Sequence, residues 1–302
     1  MTANPLVSFV IPTYGRAEAL LVTLKCALAQ DYPNFEVVVV CQDPIPPAFL
    51  SEIAVNQAGR LRVFHQQKPH ANRARNLAVE KCRGEIVLSI DDDVLFGPDY
   101  AGRHAARYSD PSLGFVLSLT LEGETDDAPA ALERAAQTYA ISPAPKAGDI
   151  VAITWAPTCS TSYRRSAIME AGWFDEYFTG GVADDSDIAV RIRERGYKGV
   201  LDTGNQLIHR LVPSGGYASR DPNRSFRRVL NDQRMRVYFA AKHARHMGAV
   251  HAAGFYGSAF RAIAVAIRAR HGRAAMVAAP LVFLWIAAGA TFSARIRRHS
   301  RR

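Results

Sequence analysis

Ile86-Val87-Leu88-Ser89-Ile90-Asp91-Asp92-Asp93 joins a short apolar run to three consecutive carboxylates. The run reads as a buried strand, and the acids mark its carboxyl end. Adjacent carboxylates repel one another and raise one another's pKa. A hard divalent cation, Mg2+ or Mn2+, relieves that repulsion, because it takes oxygen ligands and shares them with substrate phosphates. A solvated acidic turn is the alternative that this segment leaves open by itself.

Toward the amino terminus the chain alternates strand and helix signals. Leu6 to Ile11 reads as a strand ended by Pro12. Residues 16–30 read as a helix, with Leu20, Leu21, Leu24, Ala27 and Leu28 on one stripe. Val37 to Val40 is β-branched throughout, as in a strand covered on both faces. Leu61 to Phe64 is a short third strand, and residues 71–82 form a second helix with Ala74, Leu77 and Ala78 inward. This rhythm predicts an α/β fold: an open, mostly parallel sheet with helices on both faces. Ligands of such sheets bind outside the carboxyl ends of the strands. Thr13 to Arg16, Cys41 to Asp43 and Asp91 to Asp93 then share one rim. Residues 120–149, rich in Ala, Pro, Gly and acids, read as a mobile insertion with a helix at 130–140. Strand signals return at Ile150 to Trp155.

Composition sets the outer limits. The 302 residues are 48% hydrophobic and 22% charged, enough apolar residues for a sizeable core and far from collagen or low-complexity disorder. The net charge of +9 is unevenly placed: residues 1–219 carry 20 basic and 26 acidic groups, residues 220–302 carry 17 and 2. A basic tail on an acidic body points to an anionic surface as its partner. The four cysteines, Cys26, Cys41, Cys82 and Cys159, are far apart and form no C-x-x-C pair. They read as reduced, mostly buried thiols, not as a zinc site or disulfide framework. Leu6 to Pro12 is too short for a secretory leader and lacks a basic flank.

Three further clusters carry chemistry. Gly180-Gly181-Val182-Ala183-Asp184-Asp185-Ser186-Asp187 precedes a helix with Ile188, Ile192 and Arg195 on one face and Gly196 at its end. A carboxylate there is kept ionised by the helix dipole and can act as a general base, or simply as an N-cap. Lys68 to Asn76 opens the second helix with Arg73 and Arg75, a start suited to an anionic ligand. His209 lies at a predicted strand end near the acidic rim, where a neutral imidazole is a structural residue or a metal ligand.

Taken in order, these segments resemble the family 2 glycosyltransferases, which have the inverting GT-A fold. Val10-Ile11-Pro12-Thr13-Tyr14-Gly15-Arg16 is similar to that family's first strand and loop, and Ala74-Arg75-Asn76 to its nucleotide-contacting helix start. Asp91-Asp92-Asp93 is similar to its D-x-D motif. Tyr163-Arg164-Arg165, Gly172 to Glu176 and Asp184-Asp185-Ser186-Asp187 are similar to its acceptor-side block. The resemblance covers roughly residues 6–243. It implies sugar transfer from a nucleotide-sugar, with a divalent cation (Mn2+ or Mg2+), to an acceptor hydroxyl. Pro12, Thr13, Tyr14, Arg16, Asp43, Arg75, Asp91 and Asp92 would line the nucleotide. Asp93, Asp91 and His209 would hold the cation. Asp185 would be the general base, with Asp184 the second choice. Several positions depart from the pattern. Cys41-Gln42-Asp43-Pro44 replaces the usual acids after the second strand, His70 stands where the family has a glycine, and Asp184 replaces Glu. Gln233-Arg234-Met235-Arg236-Val237 lacks the Trp of processive members and reads as a helix surface, which favours addition of one sugar.

The expected organisation is a catalytic domain over 1–220, a basic amphipathic helix or linker over 221–246, and membrane-associating helices over 247–302. Ser225 to His246 reads as one helix and Ala249 to Ile267 as an apolar stretch interrupted by His251 and Arg261. Ala274 to Ala294 is an uncharged run with arginines on both sides. A run of that length spans a bilayer or lies in its interface. The implied partners are a nucleotide-sugar, a saccharide or lipid-linked saccharide acceptor, and the cytoplasmic face of the cell membrane, with no nucleic acid. The implied setting is cell-surface polysaccharide synthesis. A sugar-1-phosphate nucleotidyltransferase would need a Gly-rich loop after the first strand, which is missing. A non-catalytic sugar-nucleotide-binding scaffold is the remaining alternative.

Overall fold

The computed structural model describes residues 4–44, 46–57, 59–212, 226–271 and 273–299. The expected boundary at 220–221, the helix start at Ser225, and Arg301 and Arg302 lie outside the described residues. In chain order the elements are β1 (Val7–Thr13), α1 (Ala17–Leu28), β2 (Phe35–Cys41), α2 (Ala48–Asn56), β3 (Leu61–His65), α3 (Ala71–Lys81), β4 (Ile86–Ile90) and β5 (Val94–Phe96). They continue as α4 (Tyr100–Arg107), β6 (Leu113–Glu122), α5 (Ala128–Tyr139), β7 (Ile150–Ile153), β8 (Ser160–Arg164), α6 (Arg165–Glu170), α7 (Asp184–Glu194), β9 (Lys198–His209), α8 (Phe226–His271) and α9 (Ala279–His299).

The nine strands form one sheet in the order β3-β2-β1-β4-β8-β6-β9-β5, with β7 also on β9. Strands β3, β2, β1 and β4 are parallel. β8 runs antiparallel between β4 and β6, and β6 pairs parallel with β9. Both faces are apolar. Val7, Phe9, Ile11, Val37 and Val39 enter one core, and Val10, Val38 and Val40 enter the other. That explains the unbroken β-branched run in β2, since each successive side chain points to a covered face. The close fit is visible at Gly199 in β9, where a Cβ would lie 2.0 Å from the Phe115 ring.

The sheet also buries polar groups, among them Glu36 and His104. Glu36 in β2 accepts from Ser8 (2.7 Å), Arg62 (2.7 Å) and Arg83 Nε (2.9 Å). Burial raises its pKa, and these donors more than reverse the effect. Behind β8, His104 Nδ1 meets Ser162 Oγ at 2.8 Å, and the Tyr100 ring stands edge-on to the imidazole at 4.7 Å.

The chain forms two compact units: Met1–Glu176 with Asp185–Ser219, and Tyr177–Asp184 with Arg220–Arg302. In the second unit, α8 runs as one helix across the point where the sequence suggested a break. It contains no proline. It nevertheless doubles back: Phe239 and Phe255 are 5.7 Å apart, and Phe226 and His271 5.9 Å apart. A straight helix of this length would extend roughly 70 Å. The segment 233–237, expected as helix surface, is half core: Met235 and Val237 are fully buried, while Arg234 and Arg236 are exposed. Ile263, Ile267, Ala279 and Ile286 form the core between the returning limb of α8 and α9.

Burial holds His104 neutral, with its pKa pulled down to about 3, and the Arg107 charge acts in the same direction. The unfolded chain gains the proton first as pH falls below about 6.5. Stability is therefore whole above that pH and lost progressively toward pH 3. His104→Asn, which keeps a polar atom for Ser162, should flatten the fall in melting temperature between pH 7 and pH 5.

Candidate active site

The rim at the carboxyl ends of β1, β2 and β4 gathers most of the residues singled out from the sequence. The three acids after β4 divide their tasks. Asp92 turns inward and is 4% exposed. Its carboxylate accepts from Thr13 Oγ1 (2.7 Å) and Arg16 (3.2 Å), while Thr23 donates to its backbone oxygen. Burial pushes its pKa up to about 6, against the hydrogen bond from Thr13 and the charge of Arg16. Asp93 is 1% exposed yet held below the usual carboxylate range. Burial opposes that, but His209 Nε2 (3.1 Å), Arg16 (3.1 Å) and the Val212 amide (3.0 Å) outweigh it. Asp91 stays half-buried, 3.7 Å from Arg75 and 3.8 Å from His209.

His209 ends β9, where Val94↔His209 pairing sets it beside the acids. Burial by itself would lower its pKa. The hydrogen bonds to Asp93 and Cys159 and the Asp91 charge overcome this and push it up to about 11. One ligand atom each from Asp91, Asp93 and His209 lie within 4.8 Å of one another. Two carboxylate oxygens and an imidazole nitrogen suit Mn2+ or Mg2+, whose other positions go to phosphates and water. The residues fit such an ion. Binding it through His209 requires the imidazole to release its proton.

The other expected nucleotide contacts have partners within the protein. Arg16 bridges Asp92 and Asp93 and donates to Val212 O (3.0 Å). Asp43 accepts from the Gly15 amide at 2.6 Å and so fixes the loop after β1; Pro12 in β1 and Tyr14 in the loop are half-buried. Gln42 is buried, with its amide oxygen accepting from Gln66 (3.0 Å) and the His70 N–H (2.7 Å). Arg75 is oriented by Asn72 Oδ1 at 3.1 Å. The rest of that helix start is scaffolding. His70 is the N-cap of α3, accepting from Arg73 N and contacting Glu176 O through its other ring nitrogen. Asn72 and Asn76 donate to Asp175 O and Phe174 O.

The second acid cluster opens α7. Asp187 is fully buried and engaged by Arg191 at 2.7 Å. Asp184 is buried, and Asp185 is half-buried with Oδ1 accepting the Ser186 N–H at 2.7 Å. Cys159 and Tyr139 join this region without any local signal in the sequence. Burial raises the pKa of the Tyr139 hydroxyl, and Cys159 and Asp185 both add to the shift. Its ring rests against Trp155 with centroids 5.2 Å apart. Cys159 reaches the site through the Ile90↔Ser160 pairing of β4 with β8, a long-range contact.

The model of glycosyl transferase family 2 matches residues 8–172. Among solved structures, mannosyltransferase PcManGT from Pyrobaculum calidifontis, in complex with GDP-Man and Mn2+, aligns with TM-score 0.60 and 20% identity. The alignment covers 98% of this chain and 87% of that one, and at this identity it shows the fold. Protein y4gI of Sinorhizobium fredii is 26% identical over 255 residues, 78% of this chain and 28% of its own length. The glycosyl transferase WcaA of Escherichia coli, named for colanic acid biosynthesis, is 26% identical over 137 residues, 44% of this chain and 49% of its own. The chain therefore spans less than half the length of these two curated relatives. With the family match covering more than half of the chain, on a GT-A sheet with its acids at the carboxyl rim, this protein belongs to glycosyl transferase family 2.

Proposed function

We propose that the protein transfers one sugar, with inversion, from a nucleoside-diphosphate sugar to a hydroxyl of a saccharide or lipid-linked saccharide, in cell-surface polysaccharide assembly. The observation that carries this is the cluster of Asp91, Asp93 and His209 at the strand rim, with Arg75 beside it. The GDP-Man and Mn2+ of the P. calidifontis structure support the donor class, and the name of the E. coli relative supports the pathway. Asp91, Asp93 and His209 would hold the cation, which offsets charge on the departing diphosphate. Arg75, already oriented by Asn72, adds positive charge for the nucleotide. Asp185 takes the proton of the acceptor hydroxyl on its carboxylate, with Asp184 as the second choice. Asp187 has a different duty, since Arg191 holds it in the fold.

A thermal-shift screen against UDP-, GDP- and dTDP-sugars, with and without Mn2+, tests the donor site. One nucleotude class should raise the melting temperature only with metal, by mass action on the native state. Asp93→Asn should remove that metal dependence. No shift with any donor and no metal-dependent donor hydrolysis would leave the scaffold reading. Asp185→Asn should keep donor binding and lower turnover by about 10²–10⁴-fold, the usual worth of a general base. Unchanged turnover would remove Asp185 from that role.

We further propose that α9 attaches the protein to the cytoplasmic face of the cell membrane. Met276–Ile296 is the one segment among the described residues long and apolar enough to cross a membrane. Val277, Leu281, Leu284, Trp285, Phe292 and Ile296 are exposed and recur at helical spacing on one face. Arg268 and Arg270 on α8 and Arg295 on α9 supply charge for anionic headgroups. The protein should sediment with vesicles containing phosphatidylglycerol. The double substitution Trp285→Glu with Phe292→Glu should leave it in the supernatant.

A further inference from the structure

The chain leaves the α/β unit after Glu176 and re-enters it at Asp185. The eight residues between, Tyr177–Asp184, belong to the helical unit and lead directly into the acids of α7. Tyr177, Phe178 and Thr179 pack on one face of α8. Tyr177 and Phe178 both pack on Tyr238, with ring centroids 4.3 Å and 4.9 Å away, and Phe178 and Tyr238 are fully buried. The Lys242 ammonium lies 5.5 Å from the Phe178 ring, and the Arg234 guanidinium 5.7 Å from that of Tyr177. Thr179 Oγ1 donates to Asn231 Oδ1 at 3.2 Å, and Asn231 Nδ2 donates back to Thr179 O at 3.4 Å. Asn231, Arg234, Tyr238 and Lys242 follow the three- and four-residue steps of a single helix face.

The backbone of this loop needs such an anchor. Gly180, Gly181 and Ala183 all have positive φ, at +79°, +67° and +62°. Two glycines give the free chain many conformations, and the left-handed alanine is disfavoured by its Cβ. A Cβ at Gly180 would lie 3.2 Å from Asn231 Nδ2, so the loop runs close against the helix there. The rings and the Thr179–Asn231 pair select one path out of that ensemble.

We infer that α8 positions the general base: Phe178, Thr179, Asn231 and Tyr238 set the path of the loop that delivers Asp184 and Asp185. These are positioning residues, and the inference rests on the proposed role of Asp185. A base acts only within hydrogen-bond reach of its proton, and a misplacement of about 1 Å costs on the order of 10²-fold in rate. Loosening the anchor therefore lowers kcat and leaves the donor site at the sheet rim intact.

The test compares Phe178→Ala, Thr179→Ala and Thr179→Ser with the wild type. Two readouts are used: hydrogen exchange of amides 182–188, and metal-dependent release of nucleoside diphosphate from the nucleotide-sugar that gives the thermal shift. Phe178→Ala should lose amide protection at 182–188 and fall about tenfold or more in kcat, with donor KM within about twofold. Thr179→Ala should show a smaller loss of the same kind, about fivefold for one hydrogen bond, and Thr179→Ser, which keeps the hydroxyl, should restore it. Wild-type protection at 182–188 in both Phe178→Ala and Thr179→Ala overturns the inference, whether or not the donor is turned over. So does lost protection with unchanged kcat, or a donor KM that rises in step with the loss. Asp185→Asn, measured in parallel, reports separately on the base: if that variant alone keeps full turnover, the role of Asp185 fails while the exchange data still report on the anchor.

Discussion

Charge compensation around Asp92 and Asp93 is the constraint from which the site follows. Two adjacent carboxylates lie almost wholly out of solvent. An uncompensated ionised group there costs several kcal/mol. Thr13 and Arg16 at the end of β1, and His209 and the Val212 amide at the end of β9, supply the compensation. Each donor comes from a strand end or the loop just beyond it, so the same contacts hold the rim in register. The cost falls unequally: Asp92 is driven toward neutrality, Asp93 is kept ionised, and Asp91 remains partly open beside Arg75. A triplet of identical residues thus becomes one internal brace, one buried carboxylate shared by Arg16 and His209, and one group partly open to solvent.

A second set of polar contacts ties distant motifs together without belonging to the chemistry. His70, Asn72 and Asn76 at the start of α3 hold the backbone of residues 174–176, and Arg191 holds Asp187 within α7. Several motif residues that look like ligand contacts in the chain are here engaged by the protein's own backbone. Arg75 keeps its place near the acids, whereas the asparagines flanking it are engaged by peptide groups. His70 shares this task, since its ring serves both as helix cap and as bridge. The loop between these two clasps packs on α8 through Tyr177, Phe178 and Thr179.

The α/β sheet and its rim were legible in the sequence because their signals are local. Val37 to Val40 and Ile86 to Ile90 announce doubly covered strands by composition alone, and the acids mark where β4 ends, whereas β1 continues past Pro12 to Thr13. The helices at 17–28 and 71–81 follow from apolar stripes with recognisable stops. The candidate ligands Asp91, Asp93 and His209 were chosen by residue type and position, and β5–β9 pairing brings them together. The sequence divides this region into a helix from Ser225 to His246 and an apolar stretch from Ala249 to Ile267, and α8 runs through both and turns back on itself.

Tertiary structure alone decided which way each of these side chains faces and what it touches. Nothing local distinguishes Asp92 from its neighbours; the Thr13 hydroxyl, brought close by β1–β4 pairing, draws it inward. Cys159 reaches the site only because β8 inserts antiparallel beside β4, and Tyr139 only because α5 packs near it. The physical reason is range. Hydrophobic periodicity, turn residues and charge act over a few residues and determine element type, strand ends and the chemical repertoire. Register, burial of individual carboxylates and the path of the loop before Asp185 arise from contacts between segments far apart in the chain, which exist only once the sheet and helices have assembled.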